Sequence, residues 1–163
     1  MRAFTAGLVA LALLAPAGAA LAQDDIKTRR ACAKATRPIA QALAEKAAAH
    51  LARVGRDQAF KDFGDPAKGF LDGDLYVFVF DFAGTLVASG GFPEHVGRRL
   101  IGHSRDSTEY VGGMLRVGTE KGKGWYDYIW LNPCSRQRET KGSYVIKVGD
   151  LLVGVGAYVR EGV

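Results

Sequence analysis

The sequence predicts an α+β fold: a five-stranded antiparallel sheet with a long N-terminal helix on one face and an irregular, partly helical crossover on the other. Three observations carry this. Residues 24–54 read as a helix, with apolar side chains at three- and four-residue steps from Ile39 onward. Leu75-Tyr-Val-Phe-Val-Phe80 is apolar throughout, as in a strand covered on both faces. Three more strand-like segments follow residue 123, after a stretch of about 30 residues too long for an ordinary hairpin loop.

The chain opens with a segment set apart from that domain. Arg2 gives a positive start, residues 4–15 are almost wholly apolar, Pro16 and Gly18 interrupt them, and Ala20-Leu-Ala22 supplies small residues for a signal peptidase. Those parts in that order describe a cleavable secretory signal. A retained anchor fits less well, because the apolar core is short for a span of about 20 residues. The expectation is a signal peptide over residues 1–22, then one periplasmic or secreted domain over residues 23–163 with no membrane span of its own.

Each element has a local reason. In the first helix Ile39, Leu43, Ala47, Leu51 and Val54 make one stripe, and Pro38 is expected to kink the helix or divide it. The alanines from Ala42 to Ala49 favour helix and allow close approach to a sheet. Gly55 ends it, and residues 57–63 read as a second, short helix before Gly64-Asp-Pro66 turns the chain. Residues 75–80 and 85–88 form a hairpin around Asp81-Phe-Ala-Gly84. In the crossover, residues 108–117 suggest a helix capped by Ser107, with Val111, Met114 and Leu115 inward. Residues 124–131, 140–148 and 151–159 complete the sheet, the last two joined by a tight turn at Gly149-Asp150.

Composition excludes several classes. The formal net charge of +5 is mild, and no basic stripe with interleaved aromatics suggests nucleic acid. Cys32 and Cys134 either pair, which an oxidising compartment allows, or stay separate thiols; export and the even count favour the bridge. Its loop of about 100 residues would contribute about 4–5 kcal/mol in the chain-entropy view. No zinc spacing, haem motif, nucleophile elbow or phosphate loop occurs, so no metal, cofactor or enzymatic activity is expected.

The C-terminal half carries a resemblance. Gly124-Trp-Tyr-Asp-Tyr-Ile-Trp-Leu-Asn-Pro133, Lys141-Gly-Ser-Tyr144 and Val148-Gly-Asp-Leu-Leu-Val-Gly-Val-Gly-Ala-Tyr158 closely resemble the single Cache domain of type 2. Gly73-Asp-Leu-Tyr-Val-Phe-Val-Phe-Asp-Phe-Ala-Gly-Thr85 resembles that family's first hairpin, and Val96, Gly97 and Leu100 its following loop. The resemblance implies a PAS-like sheet behind a long helix, and binding of a small molecule, often a short carboxylate, outside the membrane. The chain stops at Val163 with no transmembrane helix or signalling module behind the motif. The expectation is therefore a stand-alone exported Cache domain that binds or carries a small organic acid or similar metabolite, or presents it to a membrane receptor or sensor kinase.

Alternation along residues 124–131 places Tyr126, Tyr128 and Trp130 on one face and Trp125, Asp127 and Ile129 on the other. The first three make a wall of rings that also carries hydrogen-bond donors, suited to a small acid, though core packing alone would give the same pattern. Lys141 is the cation beside that wall, and the resemblance places a lysine there. Ser143 shares its face, while Tyr144 reaches the same pocket only through a bulge or twist. The expected ligand-binding set is Tyr126, Tyr128, Trp130, Lys141, Ser143 and Tyr144. Gly154 and Gly156 mark a close approach by the helix or a ligand, the helix slightly favoured. Arg98, Arg99, His103 and Arg116 are further candidate anion partners. Two other readings stay open: an interaction or structural module with a filled core, and an exported enzyme using His95 or His103.

Overall fold

The computed structural model describes residues 35–132 and 135–159. The signal segment, the first part of the expected long helix, and both cysteines lie outside those residues.

Helix α1, Arg37–Val54, begins where the sequence suggested a kink. Thr36 is extended and Pro38 sits in the first turn, so the helix does not run unbroken through residue 38. Proline suits that place, because a first-turn N–H has no partner inside the helix. Its buried face is Ala40, Leu43, Ala44, Ala47, Ala48 and Leu51. Ile39 is 47% exposed, which corrects the expected stripe. Stepping back from Leu43 by three or four residues reaches Ala40 or Ile39, and the small alanine is the one that fits against the sheet. Helix α2, Arg56–Gly64, follows directly and buries Ala59 and Phe63.

The sheet has six antiparallel strands, the five expected and a two-residue addition. These are β1 Leu71–Asp72, β2 Leu75–Asp81, β3 Leu86–Ser89, β4 Lys123–Leu131, β5 Arg138–Val148 and β6 Leu151–Tyr158. The order is β1-β2-β6-β5-β4, with β3 also paired to β2. The apolar run in β2 now has its explanation, since it feeds two cores. Val77 and Val79 pack with α1 and α2, whereas Tyr76, Phe78 and Phe80 pack with the crossover.

The crossover helix α3, Arg105–Lys121, is longer than residues 108–117. Its N-cap is Ser104, not Ser107. Ser104 Oγ accepts from the Ser107 N–H at 3.0 Å, and Ser107 Oγ accepts from the Ser104 N–H at 2.9 Å, a reciprocal capping box. Ser107 Oγ also donates to the Leu100 carbonyl at 2.7 Å, tying the helix start to its preceding loop. Val111, Met114 and Leu115 face inward as expected. Ser104→Ala should cost about 1 kcal/mol, measurable as a lower urea midpoint with an unchanged slope. Among the described residues no helix is long and apolar enough to cross a membrane.

Candidate functional site

Strand β4 is the outer wall of the site, and its register fixes the contacts. Tyr126 pairs with Ser143, Tyr128 with Lys141 and Trp130 with Glu139. Tyr126, Tyr128 and Trp130 do share the face toward α3, packed against Phe92 and Tyr110. Trp125 and Asp127 face the other way. Arg37, at the start of α1, lies 4.7 Å from the Trp125 ring centre and donates to Asp127 Oδ1 at 2.5 Å.

Between α3 and the sheet lies a cavity of about 30 Å³, lined chiefly by Tyr76, Phe78, Phe92, Tyr110, Tyr128 and Trp130. That is room for one or two water-sized groups, narrower than the aromatic pattern suggested. The lysine expected at its wall stands one layer behind. Lys141 is fully buried, and its Nζ donates to the Tyr76 hydroxyl at 2.6 Å. The same nitrogen lies 4.0 Å from the Tyr76 ring centre, 4.9 Å from that of Tyr158 and 5.9 Å from that of Phe78. Tyr76 thus separates the ammonium from the cavity and relays its polarity.

Burial pulls the Lys141 amine down to about 7, and the charge of Asp74 offsets only part of that effect. Burial also pushes the hydroxyls of Tyr76, Tyr128 and Tyr158 upward, so all three stay protonated donors near neutrality. Tyr128 and Ser143 share a hydrogen bond of 3.0 Å, and Tyr158 donates to the Leu131 carbonyl at 2.8 Å.

The glycines of β6 make this arrangement possible. A Cβ on Gly156 would stand 1.9 Å from Lys141 Cε, and one on Gly154 would stand 2.2 Å from the Phe78 ring. The close approach is therefore by pocket side chains, which corrects the slight preference for the helix.

Of the expected set, Tyr128, Trp130, Lys141 and Ser143 come together around Tyr76. Tyr126 lies further out, with its ring against Gly113 of α3. Tyr144 belongs to the opposite core, 5.3 Å from the Trp125 ring, because β5 runs through this region without the bulge that would have turned it. Arg98 and His103 line a groove outside the cavity. Arg99 Nε donates to the Ala83 carbonyl at 3.0 Å, and Arg116 is exposed on α3. His95 stacks on Phe92 at 5.9 Å and lies 3.1 Å from an Arg98 nitrogen; among the described residues it makes no hydrogen bond to His103. Sequence reasoning missed Tyr76 and Tyr110. A tyrosine in a strand buried on both faces was a usable signal, since its hydroxyl must find a partner there.

Comparison with known proteins agrees with this architecture. Residues 67–162 match the family model described as Cache domain. The periplasmic sensor domain of a chemotaxis protein is 27% identical, with a TM-score of 0.55 over 86% of this chain and 98% of that one. A methyl-accepting chemotaxis protein from Vibrio parahaemolyticus has a TM-score of 0.64 at 17% identity, over 87% of this chain and 98% of that one. A Cache chemosensory domain solved for its carboxylic acid recognition has a TM-score of 0.56 at 17% identity, over 90% of this chain and all of that one. No curated protein matches. Sheet, helices and family match converge on one assignment: the chain belongs to the Cache domain family, whose members are sensor and ligand-binding domains.

Proposed function

We propose that this chain binds a small carboxylate-bearing molecule outside the cytoplasm, after export by its signal segment. It acts as a sensor, or presents its ligand to a membrane receptor or sensor kinase. One observation carries the reading: a fully buried lysine whose ammonium meets a phenol and three aromatic rings, one tyrosine away from a ring-lined cavity. A buried ammonium is costly unless an anion compensates it. Asp74 compensates in part, and a ligand carboxylate that accepts from the Tyr76 hydroxyl, itself bonded to Lys141, supplies the rest. Tyr128, Ser143 and Trp130 orient the oxygens, and Phe78, Phe92 and Tyr110 enclose the carbon part. The carboxylic-acid-binding Cache neighbour and the chemotaxis sensor neighbours support the same reading.

A thermal-shift screen over acetate to hexanoate, amino acids and amines tests it. A ligand at about 100 times its dissociation constant should add about 2.7 kcal/mol. Lys141→Ala should weaken the response far more than Arg99→Ala, since Arg99 is spent on the Ala83 carbonyl. Equal affinities of the two variants would refute this site, and flat melting curves throughout would favour a module with a filled core.

A further inference from the structure

Three concave spaces meet at one side chain. Beneath Tyr110 lies the cavity of about 30 Å³. Outside it, one groove of about 240 Å³ runs past Arg98, His103 and Arg138, and another of about 290 Å³ runs past Glu109, Asp127 and Arg138. Among the described residues Tyr110 alone lines all three. Its ring stacks on Tyr128 at 5.2 Å and meets Trp130 edge-on at 5.1 Å, so it fills the gap between α3 and the β4 wall.

Tyr110 is also the least tethered by hydrogen bonds among the tyrosines around the pocket. Tyr76 accepts from Lys141, Tyr128 is bonded to Ser143, and Tyr158 donates to Leu131. Among the described residues the Tyr110 hydroxyl makes no hydrogen bond, so its ring can turn on its helix without breaking one. The partly open cavity has no room for more than one or two water-sized groups, so an organic acid needs such a movement to be enclosed.

We propose that Tyr110 gates the pocket and sets the length of acid it admits: the ring turns outward to make room for a short acid, and its bulk in the opened site excludes a longer chain. This rests on the acid-binding reading above. The grooves also differ in charge, which gives the gate a preferred outer side. The first carries Arg98 and Arg138 against Asp106 alone, with His95 and His103 beside them. The second sets Asp106, Glu109 and Asp127 against Arg138, Asp127 being already paired with Arg37. An anion approaches by the first groove and is repelled from the second.

The test is calorimetric titration of wild type, Tyr110→Ala and Tyr110→Phe with acetate, propanoate, hexanoate and phenylacetate. Tyr110→Ala should gain about tenfold or more for hexanoate and phenylacetate relative to propanoate, the scale on which pocket size discriminates. Tyr110→Phe keeps the ring and should keep the wild-type profile. Should Tyr110→Ala melt below the assay temperature, Tyr110→Leu should show the same widening to a lesser degree. Binding by wild type with an unchanged length profile in the small variants overturns the gate and leaves acid binding standing. A widened profile in Tyr110→Phe overturns a gate made by the ring. Absence of binding by every protein to every acid overturns both.

Discussion

Between pH 7 and pH 10 the ligand-free protein should gain stability, by roughly 3–4 kcal/mol, and Lys141→Met should abolish most of that gain. The sign follows from the direction of the shift. Burial pulls the Lys141 amine from its ordinary 10.5 down to about 7. Below pH 7 the folded and unfolded chains both hold the proton, and the fold bears the full cost of the buried charge. Between about 7 and 10.5 the unfolded chain binds more protons than the folded one, so rising pH stabilises the fold. The buried tyrosines set the upper limit. Their hydroxyls are raised in the fold, so above about pH 10 the unfolded chain ionises first and stability falls again. Urea unfolding at stepped pH measures the curve, and parallel curves for wild type and Lys141→Met would refute the account. A carboxylate beside Lys141 favours its charged form. Acid binding above pH 7 should therefore take up a proton, and affinity should fall as pH rises by up to about tenfold per unit.

Gly156→Ala should damage stability and ligand response together. The added Cβ would lie 1.9 Å from Lys141 Cε and 2.6 Å from Ser143 Oγ. Lys141 and Ser143 are both fully buried, so neither can swing into solvent to relieve the clash. Overpacking of this kind costs about 1–3 kcal/mol. The displaced lysine must also leave its 2.6 Å contact with Tyr76, so the acid-induced thermal shift should vanish. A variant that melts at the wild-type temperature and still responds to acid would show that Lys141 is not held where β6 makes room for it.

The architecture was legible because its periods are strong. The apolar run over residues 75–80 of β2, the alternation in β4 and the inward row of α3 each have one physical solution. Details of the termini were harder. Ser104 and Ser107 are equally good capping residues in sequence, and only the closed box distinguishes N-cap from N3. Ile39 and Ala40 lie equally in phase with Leu43, and closeness to the sheet decided for the smaller. Within the site, parity placed Tyr128, Trp130, Lys141 and Ser143 on one face, and it also put Tyr144 on the other. Tyr76 and Tyr110 were hidden because each comes from a different element, joined to the wall only by the way the chain folds back. The role of Gly156 was legible as crowding but not as to its source, since alternation alone does not say which face of the last strand meets the helix.

The division of β2 between two cores extends across the whole sheet and makes it a two-sided board. Residues 76, 78 and 80 of β2, 126, 128 and 130 of β4, 141, 143 and 145 of β5, and the even-numbered positions of β6 all look toward the cavity. Their immediate neighbours on β2 and β6, and Tyr144 on β5, look toward α1 and α2. Substitutions on the cavity side can therefore be made while the side packed on α1 and α2 is left untouched. A slip of one residue in any strand would exchange the two sides, setting rings against alanines that have no space for them.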